Sequence, residues 1–314
     1  MNIYEQFEYS MRNVYDMSEK TLEVYMINLK EFNKYIFNDR IATIDDMRTL
    51  TSDDIMIKWL KVKEKEGISA ASLNQRIASL SRFYTYYIGL QKLTINTAKS
   101  LKNFKSKVKK EKEILTLEET QRLLDKSIQI ASENATFRNV RNELIVSLFL
   151  GCGLRIEELS ELRTSNFDLD KRELNLSFTK FGKPRTVSMP APVISSYNRY
   201  MKLRNEKYKD LSKDLKNVIF ISRKKNKLST DQIRRVIYQL TKEAGIPKVT
   251  PHALRHGYGT LMLATGKLTL EELSLEMGHG NINTTLKWYI HQVKDKKNYG
   301  DFNPVFTKGD VNNG

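Results

Sequence analysis

All four histidines of this 314-residue chain lie in its last quarter, and histidine is the side chain best suited to proton transfer near neutral pH. They are His252, His256, His279 and His291. His252 and His256 are four residues apart, which is the spacing of two zinc ligands on one helix in HExxH enzymes. Ala253 stands where such enzymes carry glutamate, and Arg255 would place a positive charge beside the metal. A zinc hydrolase is therefore the least favoured interpretation.

The same region suits a second chemistry, the binding of a phosphate group. Pro251 fits the first position of a helix and Thr250 fits its cap, so His252 would lie in the first turn, where free N–H groups favour an anion. Arg255 would share that face. Upstream, Arg155 follows two glycines in GCGLRIEEL, and a sharp break there would expose its guanidinium. Two arginines can hold one phosphate by paired hydrogen bonds, although each alone is more often a surface residue in an ion pair.

The charge balance favours a polyanionic partner, either nucleic acid or an anionic membrane surface. Lysine and arginine total 53 against 37 acidic residues, which gives a formal net charge of +16. No stretch approaches the roughly 18 to 20 apolar residues of a membrane span, and the N-terminus lacks the features of a signal peptide. We therefore expect a soluble cytoplasmic protein. The single cysteine, Cys152, lies in an apolar run and is expected to be a small buried hydrophobe.

Three segments that differ in charge and pattern lie along the chain. Residues 1–98 carry 13 basic and 13 acidic side chains and read as helical, with helices predicted to begin at the caps Ser18 and Thr51. Residues 99–112 carry seven lysines and almost no large apolar side chain, which predicts an extended basic linker. Residues 113–314 are predicted to form a second, mostly helical domain. We expect a mainly α-helical protein with one small antiparallel β-sheet.

The only strand pattern lies in the second domain. Leu174, Leu176 and Phe178 alternate with polar residues, FGKP makes a turn, and residues 186–189 can return as the partner strand. Helical patterns resume after it, and one of them is predicted to begin at Pro251.

Taken together, these residues resemble the tyrosine recombinases of the phage integrase and Xer type. The family pattern has an arginine in a GLR-x-x-E-L box, a lysine in a β-hairpin, H-x-x-R, a second histidine or tryptophan, and a tyrosine two residues before a histidine. This chain supplies these positions in order as Arg155, Lys180, His252 with Arg255, His279, and Tyr289 before His291. The resemblance covers nearly the whole chain.

The resemblance implies that the Tyr289 hydroxyl attacks a DNA phosphate, forms a 3′-phosphotyrosyl bond and releases a 5′-hydroxyl. By the same resemblance, Arg155 and Arg255 hold the phosphate, Lys180 protonates the leaving oxygen, His252 assists proton transfer and His279 hydrogen-bonds the phosphate. Glu158, His256 and His291 are expected to be supporting residues. No metal and no cofactor are implied, because the covalent intermediate conserves the energy of the phosphodiester.

The resemblance also implies a domain organisation and a set of partners. The N-terminal module is similar to the helical, SAM-like core-binding domain, and the C-terminal part to the α+β catalytic domain. The expected DNA-contacting residues are Arg76, Arg82, Lys102, Lys105, Lys107 and Lys109. The expected partners are a double-stranded recombination site, three further copies in a homotetramer and, in some systems, an accessory or directionality protein, with no membrane.

Several alternatives stay open on the sequence. Lys183 lies in the same turn as Lys180, and Tyr258 and Tyr299 compete with Tyr289. A non-catalytic DNA-binding protein on this fold would need the phosphate-binding arginines but not the nucleophile. A type IB-like topoisomerase would use the same chemistry on DNA that has no partner site. The biological task is open between integration or excision of a mobile element and resolution of dimers or cointegrates. The apolar residues of the tail after Lys294 either dock on a neighbouring subunit or stay disordered.

Overall fold

The structure is a computed structural model, and it describes residues 1–105, 115–176, 184–266 and 268–278. The chain divides into two compact units, Met1–Lys110 and Glu111–Gly314. The predicted linker, 99–112, spans this division, and because its second half lies outside the described residues its extended form stays a prediction. Among the helices of the described ranges, none is both long enough and apolar enough to cross a membrane.

The N-terminal unit is helical, as predicted. Its helices are α1 (Ile3–Asn13), α2 (Glu19–Phe37), α3 (Ile44–Thr49), α4 (Ser52–Ile55), α5 (Lys61–Lys65) and α6 (Ala70–Gly89). The predicted caps are confirmed, because Ser18 accepts from the Thr21 N–H and Thr51 forms a capping box with Asp54. The apolar face of α6 is buried against α2, and Phe32, Trp59 and Tyr84 are among the residues of the core.

One feature of this unit was not predicted. The helix predicted to begin at Thr51 is present and runs from Ser52 to Lys65, but a π-helical turn, Met56–Leu60, interrupts its α-helical pattern between α4 and α5. A π turn contains one extra residue, so it rotates the side chains that follow it. Trp59 and Leu60 are both fully buried in the result.

The C-terminal unit is built around one buried helix. Its elements are α7 (Leu117–Glu133), α8 (Phe137–Cys152), α9 (Ile156–Glu161), β1 (Phe167–Asp168), β2 (Glu173–Leu176), β3 (Arg185–Ser188), α10 (Ala191–Lys207), α11 (Lys213–Lys216), α12 (Thr230–Glu243), α13 (Pro251–Ala264) and α14 (Leu270–Met277). Helix α8 packs against α7, α10, α12 and α13. Its apolar sequence is therefore covered by neighbours on every side.

The small sheet has the predicted hairpin and one more strand. Strand β2 pairs antiparallel with β3, with Leu174 opposite Val187 and Leu176 opposite Arg185. The short β1 adds to the other edge of β2, which gives the order β1-β2-β3. The sequence did not predict β1, because two residues carry no periodic pattern and the strand exists only through its pairing. The predicted turn with Lys180 and Lys183 falls on residues that the structure does not describe.

Candidate active site

Arg155 lies at a break between two helices, as predicted. Helix α8 ends at Gly153, whose φ of 58° is left-handed, and Arg155 then caps the start of α9. The Gly153 position has no room for a side chain, since a Cβ there would lie 2.3 Å from Cδ1 of Tyr258. The break leaves 31% of the Arg155 side chain exposed. The Arg155 side chain is thus partly exposed and can be reached by an anionic ligand.

Glu158 is the centre of the site. Its side chain is 2% exposed, and it accepts hydrogen bonds from the Arg155 backbone N–H at 2.7 Å and from Arg155 Nη1 at 2.8 Å. Arg185, from β3, donates through Nη1 at 2.5 Å and Nη2 at 2.8 Å. Burial by itself would raise the pKa of this carboxyl, but the hydrogen bonds and charge of Arg185, followed by Arg155, lower it to about 2. Glu158 is therefore ionised at neutral pH and fixes both arginines.

Arg255 belongs to the same cluster but is much less accessible. It lies on α13, its residue is 1% exposed, and its Nη1 donates to the Gly153 carbonyl at 2.6 Å and lies 3.8 Å from Glu158. Burial, together with the positive charge of Arg155, lowers its pKa to about 9. This value still leaves Arg255 charged at neutral pH. Three arginines and one carboxylate then leave two positive charges in excess.

The end of α14 supplies the remaining partners of these arginines. Arg185 Nε donates to the Glu276 carbonyl at 2.7 Å, Arg255 donates to the Met277 carbonyl, and Arg155 donates to the Gly278 carbonyl. The last carbonyls of a helix have no partner within the helix and need one elsewhere. Three consecutive carbonyls therefore hold three arginines that come from three different elements.

The two described histidines lie next to each other on α13. Thr250 caps this helix and Pro251 is its first residue, as predicted, which places His252 in the first turn. His252 is exposed, His256 is 5% exposed, and their Nε2 atoms are 2.8 Å apart. At that distance one ring donates and the other accepts a single hydrogen. His256 thereby fixes the orientation of the exposed His252 ring, which fits the supporting role expected for it.

Tyr258 and Cys152 lie close to the cluster but are poorly reactive. Tyr258 is 5% exposed, and its hydroxyl donates to Glu276 at 2.9 Å. Burial, and then the charge of Glu276, raise the pKa of Tyr258 above its usual value, which makes it a poor nucleophile. Cys152 is buried as predicted, and burial raises the pKa of its thiol to about 12.

Comparison with known proteins identifies this arrangement. The model of the phage integrase family matches residues 113–296, and that of the phage integrase N-terminal SAM-like domain matches residues 4–89. The first match alone covers more than half of the chain. The chain belongs to the phage integrase family. It is a site-specific tyrosine recombinase, an enzyme that cleaves and rejoins DNA.

Individual relatives match this chain over most of their own length. The tyrosine recombinase XerC of Actinobacillus pleuropneumoniae is 28% identical over 87% of this recombinase and 84% of its own chain. The integrase of the Tn1549 transposon, solved with a circular intermediate DNA, has a TM-score of 0.70 at 20% identity and covers 92% of this chain and 95% of its own. Lambda integrase, solved as a tetramer on a Holliday junction, has a TM-score of 0.65 at 20% identity, and the match covers 91% of this chain and 76% of the lambda integrase chain. At these identities the solved structures establish the fold of the recombinase, which is the predicted one.

The structure brings together part of the predicted site. Arg155, Glu158 and Arg255 form one cluster, and His252 with His256 lies on the same helix as Arg255. Lys180, His279, Tyr289 and His291 lie outside the described residues, so their roles in the recombinase stay predictions. Among the residues that are described, no three histidine, cysteine or acidic side chains are grouped closely enough to hold a metal ion.

Arg185 is a residue of this site that was not predicted from the sequence. A signal for it was present, because Arg185 alternates with Val187 and Met189, which are 1% and 2% exposed. A charged residue on the inward face of a strand needs a buried partner. The partner, Glu158, was itself expected to be a supporting residue, but nothing local in the sequence joins two positions 27 residues apart.

The predicted DNA contacts of the N-terminal unit differ in accessibility. Lys102 and Lys105 are exposed, and Lys107 and Lys109 lie outside the described residues. Arg82 is partly exposed, with its guanidinium 5.4 Å from the ring centre of Tyr15. Arg76 does not lie on an open face as expected, because its side chain is 15% exposed and its Nε donates to Glu31 at 2.6 Å. A DNA contact by Arg76 stays a prediction, and it would require exchange of Glu31 for a phosphate.

Proposed function

We propose that this recombinase cleaves DNA through Tyr289 and holds the scissile phosphate with Arg155 and Arg255. The observation that carries the proposal is the arginine cluster around Glu158. Arg155 donates to this carboxylate at 2.7 and 2.8 Å, and Arg255, about 100 positions further along the chain, lies 3.8 Å from it. The partly exposed Arg155 offers oriented N–H groups that stabilise negative charge on phosphate oxygens, whereas the buried Arg255 would exchange its bond to the Gly153 carbonyl for one to a phosphate oxygen. The excess of positive charge also favours loss of the tyrosine proton, since a free phenol has a pKa near 10.

The step that we propose is a transesterification. The Tyr289 oxygen forms a bond to phosphorus while the bond from phosphorus to the 5′-oxygen breaks, and Lys180 gives that oxygen a proton. His252, oriented by His256, takes part in the transfer of the tyrosine proton, and His279 hydrogen-bonds the phosphate. The 5′-hydroxyl of a partner strand then attacks the phosphotyrosine and restores the phosphodiester, so no external energy source is needed.

We further propose that the recombinase acts in the cytoplasm as a homotetramer on two duplex sites. The lambda integrase tetramer on a Holliday junction supports this assembly by analogy of fold. The task would be integration or excision of a mobile element, or resolution of dimers or cointegrates, with an accessory protein where direction must be controlled. The basic residues of 99–112 would follow the DNA backbone between the two domains.

The decisive experiment is a covalent trapping assay. The recombinase is incubated with duplexes that carry a nick beside candidate crossover sites, taken from the DNA that flanks its gene, and then denatured. We expect a denaturation-resistant protein–DNA adduct with the wild type and with Tyr299→Phe, and none with Tyr289→Phe. An adduct that persists in Tyr289→Phe would refute the assignment of the nucleophile.

A further inference from the structure

A second cluster of cations lies at the opposite end of α8 from Arg155. A recess of about 380 Å³ opens there between the start of α8, the end of α10, the segment around Ser222 and α12. Five of its lining residues are basic and none is acidic. The basic residues are Arg138, Arg141, Lys207, Arg223 and Arg235.

These cations are not neutralised by the part of the protein that the structure describes. Within the described ranges, no carboxylate forms an ion pair with any of the five, whereas the nearby Arg199 pairs with Glu143. Their partners there are neutral groups. Arg138 donates to Gln239 Oε1 at 2.7 Å, Arg141 donates to the Asn142 side chain at 2.9 Å, and Lys207 Nζ lies 5.2 Å from the ring centre of Phe137.

The charges around the recess favour the binding of an anion. Burial, and to a smaller extent the charge of Arg138, lower the pKa of Arg141, because both oppose its positive charge. The first turn of α8, capped by Thr136, adds the positive end of a 16-residue helix. A bound anion would relieve the repulsion among the cations and gain hydrogen bonds from several of them at once.

We propose that this recess is a second phosphate site, which binds a backbone phosphate of the DNA on which the recombinase acts. The inference rests on the proposed function. Arg141 and Arg155 are separated by most of α8, so at about 1.5 Å per residue the two sites lie roughly 20 Å apart along the helix. Successive phosphates of one strand are about 3.4 Å apart along the duplex axis, so a single substrate can occupy both sites.

The first test measures how the affinity for a duplex of arbitrary sequence depends on salt. Each phosphate contact contributes about 0.9 to the slope of log affinity against log salt. We expect Arg141→Gln and Arg235→Gln each to weaken binding about tenfold and to reduce the slope by about one. Arg122→Gln, on the exposed face of α7, is the matched control and should change neither quantity. Unchanged affinity and slope in both recess variants would overturn the proposal.

The second test locates the phosphate. Uncharged methylphosphonates are placed one at a time at each position within one turn of the scissile phosphate. We expect one or two positions, apart from the scissile one, to weaken binding of the wild type, and these same substitutions to have no further effect on Arg235→Gln. Equal effects on wild type and variant at every position would contradict a contact between the recess and DNA. Because Arg235 is exposed, its replacement leaves the core intact.

Two further measurements distinguish this inference from the assignment of the nucleophile and from the binding of free phosphate. At saturating DNA, the recess variants should still form the Tyr289-dependent adduct, so failure of the nucleophile assignment and failure of the recess are distinguishable. Inorganic phosphate tests the other source of the same chemistry. If it raises the melting temperature of the wild type but not of Arg141→Gln, while DNA binding is equal in both, the recess binds free phosphate and the DNA proposal is wrong.

Discussion

Arg185 donates two parallel hydrogen bonds to Glu158. Its Nη1 lies 2.5 Å from Oε1 of the carboxylate, and its Nη2 lies 2.8 Å from Oε2. The two side chains are 6% and 2% exposed, so this ion pair is buried. It joins the β-hairpin to the helix break that carries Arg155. The position of Arg155, the arginine proposed to bind the phosphate, therefore depends on a residue that is not expected to touch the phosphate.

Replacing Arg185 should damage both stability and activity. Arg185→Gln leaves the Glu158 carboxylate with one strong partner fewer, and loss of one partner of a buried pair costs about 3 to 5 kcal/mol of unfolding free energy. The matched control is Arg234→Gln, which breaks an exposed pair with Asp231 and should cost under about 1 kcal/mol. Urea unfolding measures both, and adduct formation at low temperature should be slower in Arg185→Gln alone. Equal stability of the two variants would contradict this account.

Glu158 should make stability depend on acid pH. Its folded pKa of about 2 is below the ordinary 4.5, so its contribution is fully present above the unfolded value and is lost as the pH falls towards the folded one. The difference between the ordinary pKa and the folded pKa of Glu158 corresponds to about 3 kcal/mol. The free energy of unfolding of the wild type minus that of Glu158→Gln should therefore shrink by about 2 kcal/mol between about pH 5 and about pH 3. A difference that does not change with pH would argue against the lowered pKa.

Gly153 and Gly245 offer a matched pair of left-handed glycines. Gly245 has a φ of 63° and no atom within 4 Å of the position that a Cβ would take, so Gly245→Ala should cost only the backbone strain of about 1 to 2 kcal/mol. Gly153→Ala adds a clash with the Tyr258 ring and should cost about 2 kcal/mol more. Thermal unfolding of the two variants checks the order. A Gly153→Ala protein as stable as Gly245→Ala would mean that Tyr258 moves aside freely.

Arg76 and Arg82 should separate stability from DNA binding. Glu31 accepts from both Arg76 and the Trp59 indole, so Arg76→Gln should lower the unfolding free energy by about 2 kcal/mol. Arg82→Gln should leave stability within about 0.5 kcal/mol and should weaken duplex binding more than Arg76→Gln does. Titration of a labelled duplex, below the melting temperature of both variants, compares the affinities. A larger loss of affinity in Arg76→Gln would show that Arg76 leaves Glu31 to bind DNA.

Local signals in the sequence account for much of the site. The cap of α13 at Thr250, the start at Pro251 and the break at Gly153 are properties of short segments, and each was predicted correctly. The role of Arg185 was not, because it depends on a strand register and on a helix contact far away in the chain. The π turn at Met56–Leu60 was not predicted for a similar reason. Burial of both Trp59 and Leu60 is decided by packing and not by helix propensity.

The contacts at the end of α14 have a consequence for genetics. Three arginines from α8–α9, β3 and α13 depend on three successive carbonyls, so a shift of this one helix end displaces all three guanidinium groups together. Leu273 and Met277 hold α14 against Tyr258 and are 0% and 3% exposed. Substitutions there would loosen the helix on warming, and a screen for temperature-sensitive recombination should recover alleles at these apolar positions.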